Sequence, residues 1–307
     1  MPDIIEYQLL LMKLSGIDGV LIDWPGMTKL YDYPLLVRNA EKVIEKLEKV
    51  GLSFAIVYED QNINIAFNNN AISNKISAAR NDMAYLESRY FAKPSYIKEE
   101  GRPLLLVFGP QTFQTEAEWT QVFSALATKP AFYTLWNESH EAGANAVGEF
   151  AWVYKNHLDD LNGFYNKNYS GKKMASAYAG FHAFYEEGGW ESNPFEINVS
   201  LPNFSQTLDL ALASDAPSLQ LVTWNDYGEG TMIEPTQQFQ YGFLTMLQHK
   251  LGVRDIKEDD LKAVSLLYEL RKKYKGNAEK KKNLDQAFYY FVSLKLAEAR
   301  SLLQTIK

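Results

Sequence analysis

Short runs of four to seven mostly apolar residues alternate along this chain with longer stretches whose apolar positions recur every three or four residues. The runs at 19–24 (GVLIDW), 53–59 (SFAIVYE), 103–109 (PLLLVFG), 131–136 (AFYTLW), 148–153 (GEFAWV), 173–179 (KMASAYA) and 219–224 (LQLVTW) lack polar alternation. They predict strands buried on both faces, as in a parallel sheet covered by helices. The periodic stretches at 33–50, 76–91, 116–127 and 204–214 predict the helices between them, and a helix at 4–14 precedes the first strand. Strand and helix alternating in this way build a sheet from βα units. From about Pro235 only helical patterns remain, at 239–248, 258–274 and 284–305. The expected organisation is a (β/α) barrel over 1–250 and a C-terminal helical extension over 251–307 packed on it. The basic run 271–282 (RKKYKGNAEKKK) is broken by Gly276 and Asn277, so it reads as a solvated helix–helix loop, not a polyanion site.

Composition narrows the partners more than the fold. A chain of 307 residues can hold two ordinary domains or one large barrel. Its 46% hydrophobic and 14% aromatic residues suffice for a sizeable core, and no apolar run approaches the ~20 residues of a membrane span. The net charge of −7 repels phosphate backbones, so nucleic acid is not an expected partner. With no cysteine there are no disulfides, thiolate chemistry or Cys-ligated zinc. The opening Met-Pro-Asp leads straight into a helical pattern without a basic, small-residue leader, which leaves a cytoplasmic protein or a natural N-terminus upstream of this sequence.

Candidate chemistry concentrates where the last strand ends. Residues 219–235 run from an apolar strand into Trp224, Asn225, Asp226, Tyr227, Gly228, Glu229 and Gly230, followed by Glu234. Asp226 and Glu229 lie three apart on a turn that two glycines allow to curl, so both carboxylates can reach one cavity. Glycoside hydrolysis needs such a pair, one carboxyl to protonate the leaving oxygen and one to activate the attacking group. Four of the six tryptophans, Trp24, Trp136, Trp152 and Trp224, sit at or near strand ends with polar neighbours Asp23, Asn137, Glu138, Glu149, Asn225 and Asp226. Flat aromatic faces at that end of a barrel suit sugar rings, although one or two of the four are expected to be core packing.

Other chemistries lack their motifs. There is no GxGxxG after the first strand, no GxxxxGK, no GxSxG elbow, and His140, His157, His182 and His249 show no ligand spacing. No cofactor and no metal is called for.

The stretch Trp224-Asn225-Asp226-Tyr227-Gly228-Glu229 resembles the motif of glycoside hydrolase family 71, the α-1,3-glucanases, and Gly230-Thr231-Met232-Ile233-Glu234-Pro235 resembles its continuation in family 99, the endo-α-mannosidases and endo-α-mannanases. The segments 6–13 and 16–24 extend the likeness to the bacterial family 71/99-like group. The resemblance implies a (β/α)8 TIM-type barrel, no metal, and a metal-free carboxylate pair that falls on Asp226 and Glu229, with Glu229 as general acid. It also suggests an extracytoplasmic protein, periplasmic or secreted. In family 99 the first acid of the pair is a glutamate acting through the substrate's 2-hydroxyl. Asp226 is one methylene shorter, as in family 71, which implies Asp226 as general base in an inverting reaction and fits the roughly 6.5–9.5 Å separation of inverting pairs better than the ~5 Å of retaining ones. The implied activity is endo-hydrolysis of an α-linked oligo- or polysaccharide, α-glucan or α-mannan, by a monomer. Trp24, Asp23, Tyr58, Glu59, Trp136, Asn137, Trp152, Tyr178, Trp224, Tyr227 and Glu234 then line the subsites. A glycan-binding barrel without catalysis is the alternative. Members of the group carry a strand before the first helix, so this chain is expected to show seven barrel strands, lacking the first.

Overall fold

The computed structural model describes residues 2–189 and 195–306. Seven strands, β1 (Gly19–Trp24), β2 (Ser53–Tyr58), β3 (Arg102–Val107), β4 (Ala131–Leu135), β5 (Ala146–Phe150), β6 (Lys172–Ala177) and β7 (Ser218–Leu221), are hydrogen-bonded neighbours in chain order. From β2 onward each pair is parallel, with Ile56 opposite Leu105, Leu105 opposite Phe132, Tyr133 opposite Gly148, Gly148 opposite Lys172 and Met174 opposite Ser218. A mostly parallel, curled sheet whose spatial order follows the chain is the winding of a TIM-type barrel. A two-residue strand, Lys98–Glu99, adds antiparallel to β3, and Phe181–His182 pairs with Glu196–Ile197 outside the sheet.

The strands form where apolar runs leave no polar face. In β2 every residue from Phe54 to Tyr58 is buried, and so is every residue from Pro103 to Val107 in β3. Helices follow: α1 (Pro2–Leu14), α2 (Tyr33–Val50), α3 (Gln61–Asn68), α4 (Lys75–Leu86), α5 (Glu116–Phe123), α6 (Ser139–Ala142), α7 (His157–Asn166) and α8 (Leu201–Ala213). In α2 the buried residues Val37, Ala40, Ile44, Leu47 and Val50 recur at three- and four-residue steps, the stripe that one face of a helix needs. Side-chain caps set three of the starts: Asn74 accepts from Ser77 N–H, Thr115 from Glu118 N–H and Ser200 from Asn203 N–H.

The C-terminal segment is α9 (Gly242–Leu251), α10 (Glu258–Lys273), α11 (Ala278–Val292) and α12 (Leu296–Ile306). The single helix expected at 284–305 is therefore two. Leu294 adopts φ +58, and the N–H groups of Ser293, Leu294 and Lys295 turn back onto Tyr289, Phe291 and Tyr290, which ends α11. The loop expected at 271–282 is likewise shorter. Both of its flanks are helical, and Arg271 is mostly buried, paired with Glu6 at 2.6 Å and Asp285 at 2.8 Å. At 76–91 the pattern holds through Leu86 and then widens into a π-turn, Glu87–Phe91.

Contacts divide the described residues into two compact units, one of 2–20, 41–53 and 234–306, the other of 21–40 and 54–233. The first contains α1 and α9–α12, where Gln248 donates to the Leu14 carbonyl at 2.8 Å. The second contains most of the sheet, with Asp23, Glu59, Asp226 and Glu229 at its C-terminal strand ends.

Candidate active site

Parallel strands place all their C-terminal ends on one side, where a barrel keeps its chemistry. β1 ends on Asp23 and Trp24, β2 runs into Glu59, and β7 leads into the turn that carries Asp226 and Glu229. The Glu59 N–H donates to the Trp24 carbonyl at 3.1 Å, which ties the first two of these ends together.

The last turn is braced by its own polar groups. Thr223 N–H donates to the Thr231 carbonyl at 3.0 Å, Ile233 N–H to the Thr223 carbonyl at 3.1 Å, and the two threonine hydroxyls meet at 2.8 Å. Inside this closed loop Asp226 N–H donates to Thr223 Oγ1 at 2.9 Å and Glu229 N–H to Asp226 Oδ1 at 3.0 Å. Asp226 thus shapes the loop with one oxygen. Gly230 has φ +62, and a Cβ there would lie 3.2 Å from the His182 nitrogen, so the backbone conformation and the close approach of the two segments both favour glycine.

Glu229 is the most distinctive carboxyl. Its Oε1 accepts the Tyr185 hydroxyl at 2.7 Å, while its Oε2 is sealed from solvent, and the Trp152 indole is a second donor facing the carboxyl. Burial raises its pKa above the ordinary glutamate value, the Tyr185 hydroxyl lowers it, the negative charges of Asp226 and Asp23 raise it further, and the Trp152 indole lowers it slightly. The result is a carboxyl biased toward its protonated form.

Asp23 and Glu59 form a second acid pair. Burial is the largest cause raising each, followed for Glu59 by the charge of Asp23; they share a hydrogen bond that lowers Asp23 and raises Glu59. Asp23 keeps access to water while the protein around it removes much of its solvation. Two carboxyls in contact hold one proton between them, because both cannot ionise cheaply at that distance. Gln61 donates to Glu59 Oε2 at 2.7 Å. Close by, Asp60 is fully buried and accepts the N–H groups of Gln111, Thr112 and Phe113, a structural nest for the loop after β3.

Three residues expected to line subsites are core instead. Trp24 is 0% exposed and stacks on Tyr85 at 5.9 Å, because the indole turns inward against α4 and away from the strand mouth. Tyr58 is equally buried and donates to Asp82 Oδ2 at 2.8 Å, and Tyr178 is buried with its hydroxyl 3.4 Å from His157 Nδ1. Trp136, half-buried, packs edge-on against Phe164 at 5.7 Å, and Asn137, at φ +68, accepts from Lys167 Nζ at 3.0 Å. Trp152 is half-buried between Phe108 and Phe150 and reaches toward Glu229. Trp224 is half-buried with its Nε1 unpartnered, and Tyr227 is 52% exposed. Glu234 belongs to the other unit, where its Oε2 accepts from Gln8 Nε2 at 3.0 Å.

Sequence reading missed Tyr185 and His182. They lie on the segment after β6, whose backbone pairs with the carboxylate turn: His182 N–H donates to the Glu229 carbonyl and Phe184 N–H to the Gly228 carbonyl, both at 2.9 Å. No local motif announces this, since Tyr185 and Glu229 are 44 residues apart in sequence.

No family model matches the chain, and no curated protein matches it. Among solved structures it is similar to a glycoside hydrolase-like protein, with TM-score 0.64 and 9% identity over 81% of this chain and 86% of that one. It is also similar to the GH99 endo-alpha-mannosidase from Bacteroides thetaiotaomicron in complex with bis-tris-propane, with TM-score 0.63 and 16% identity over 86% of this chain and 85% of that one. A second structure of that enzyme gives TM-score 0.62 at 15% identity, over 86% of this chain and 80% of that one. The chain shares the barrel fold of these proteins, which is the fold that the motif after the last strand implied.

Proposed function

We propose that the protein is a glycoside hydrolase that cleaves α-linked polysaccharide, an α-glucan or α-mannan, within the chain. Glu229 is the general acid and Asp226 the general base of an inverting reaction. As the bond from the anomeric carbon to the glycosidic oxygen breaks, Glu229 gives its proton to that oxygen, which leaves as a sugar hydroxyl. Water attacks the anomeric carbon and yields its proton to Asp226, and exchange with solvent restores both groups. An acid of this kind must stay protonated near the working pH, and environments that push two carboxyls apart in pKa are what divide acid from base.

The observation that carries the reading is the state of Glu229: desolvated, beside Asp226 and Asp23, and raised above an ordinary glutamate. The shared barrel fold supports it; the endo-alpha-mannosidase among the similar structures makes α-mannan one substrate to offer, and the resemblance of residues 224–229 to the family 71 motif makes α-1,3-glucan the other. Such polymers lie outside the cytoplasm, where the enzyme would work; no helix among the described residues is long and apolar enough to cross a membrane.

The test measures reducing-sugar release from α-1,3-glucan and yeast-type α-mannan by the wild type and by Glu229→Gln, with glycan binding followed in parallel. The wild type should release sugar from one of the two, and the variant should lose at least about a hundredfold in kcat while still binding, in line with general-acid contributions of roughly 10²–10⁴. Binding without release in the wild type indicates a non-catalytic barrel, and a variant at wild-type rate removes Glu229 from the mechanism.

A further inference from the structure

The carboxyl of Glu229 has two oxygens, and neither is free to meet a substrate. Oε2 is sealed from solvent, and Oε1 is taken by Tyr185 at 2.7 Å. A glycosidic oxygen receiving a proton from a carboxyl must come within ~2.6–3.2 Å of it, the distance at which the Tyr185 hydroxyl already sits. Tyr185 is 39% exposed, so its ring is not held by burial on all sides, and its backbone segment is anchored three positions away and next door through His182 and Phe184. The segment can stay in place while the Tyr185 side chain turns.

Resting on Glu229 as the proton donor, we infer that Tyr185 is a substrate-displaced latch: its hydroxyl occupies the place of the glycosidic oxygen at Glu229 Oε1 in the free protein and gives way to that oxygen when substrate binds. In the free protein the latch supplies a donor to the acid and keeps the carboxyl oriented. In the complex the substrate oxygen takes over that position. Occupying an acid's oxygen when no substrate is present gives Oε1 a donor that no other side chain supplies at hydrogen-bond distance among the described residues.

The groups around Glu229 that titrate or carry charge are Tyr185, Asp226 and Asp23, with Glu59 acting on Tyr185; the His182 ring, on the same segment, is paired with Glu196 and Glu187. Among them Tyr185 alone donates a hydrogen bond to the carboxyl through its side chain at hydrogen-bond distance. Removing that donor raises the pKa of Glu229, since a hydrogen bond from Tyr185 favours the carboxylate.

The experiment is the pH dependence of kcat/KM and of kcat for the wild type and Tyr185→Phe, on whichever glycan the wild type cleaves. The first profile reports groups in the free enzyme and the second those in the enzyme–substrate complex. A displaced latch requires the alkaline limb of kcat/KM to move up in Tyr185→Phe while the alkaline limb of kcat stays put. If both limbs move together, Tyr185 remains on Glu229 throughout and the latch is wrong; if neither moves, the contact is without consequence for the acid and the latch is equally wrong. The substitution keeps the ring and removes one oxygen from a partly exposed side chain, and a wild-type unfolding midpoint confirms the fold. Should Glu229→Gln retain wild-type turnover, it is the assignment of the acid that fails. Tyr185→Phe then still reads the contact itself, through the titration of Glu229 followed by carbon-13 NMR of the labelled carboxyl with and without glycan.

Discussion

Trp24 closes β1 and Glu229 lies on the turn after β7, and burial acts on the two in opposite ways. For the carboxyl, loss of water disfavours the charged form, which is what the proposed proton donor needs. For the indole, burial of the ring outweighs the cost of a buried, unpartnered Nε1: it is packed on Tyr85 and Tyr58 with no surface left for a sugar. Trp24→Ala should therefore destabilise the protein by about 3–5 kcal/mol, the usual cost of emptying a large aromatic site in a core. Urea unfolding checks this. A variant as stable as the wild type but defective in glycan binding would return Trp24 to the sugar platform.

At the scale of elements, the strand expectations at 19–24 and 53–59 and the helix at 33–50 agree with the structure to within a residue, because a continuous apolar run or an apolar stripe depends only on near neighbours. The C-terminal helices were legible as helices but not in number. Nothing in the pattern around Leu294 forbids continuation, and the break rests on a left-handed residue that is neither glycine nor asparagine. An L side chain pays about 1–2 kcal/mol in that conformation, and glycine returns part of this through its larger freedom in the unfolded chain. Leu294 is 53% exposed, so little packing is lost with its side chain. Leu294→Gly should raise stability by about 1 kcal/mol, read as a higher unfolding midpoint. A fall of that size would mean that the Leu294 side chain contributes contacts its exposure does not suggest.

Across the molecule, buried acids outweigh exposed paired ones. Glu6, Asp23, Glu59, Asp60, Asp82 and Glu229 are all raised, chiefly by burial, whereas Glu149 and the exposed Glu45 and Glu100 are lowered. A raised carboxyl holds its proton in the folded state after the unfolded chain has lost it. The folded state then binds more protons over that window, and stability falls as pH rises. For Asp82 the window runs from 3.8 to about 7, and its burial outweighs the hydrogen bonds from Met27 N–H and the Tyr58 hydroxyl. Such a group contributes a slope of up to about 1.4 kcal/mol per pH unit. The protein should be more stable near pH 5 than near pH 7, and Asp82→Asn should flatten that dependence. Urea midpoints at several pH values decide it, and parallel slopes in the two proteins would show that Asp82 ionises in the folded state as freely as in the unfolded one.

What the sequence determined by itself is what neighbours along the chain can enforce: apolar runs that must be strands, amphipathic stretches that must be helices, and a glycine-flexed turn that brings Asp226 and Glu229 to one strand end. Tertiary structure decided the rest. An indole closing a strand can face the mouth or the core, and only the packing of α4 turned Trp24 inward. Asp23 and Glu59 lie on different strands, so their shared proton exists only once the sheet has formed. Tyr185 reaches Glu229 because a segment after β6 pairs its backbone with the turn after β7, a contact that no local pattern encodes. The raised pKa of Glu229 likewise belongs to the folded state, since the dominant cause, burial, is a property of the surrounding protein and not of the residue.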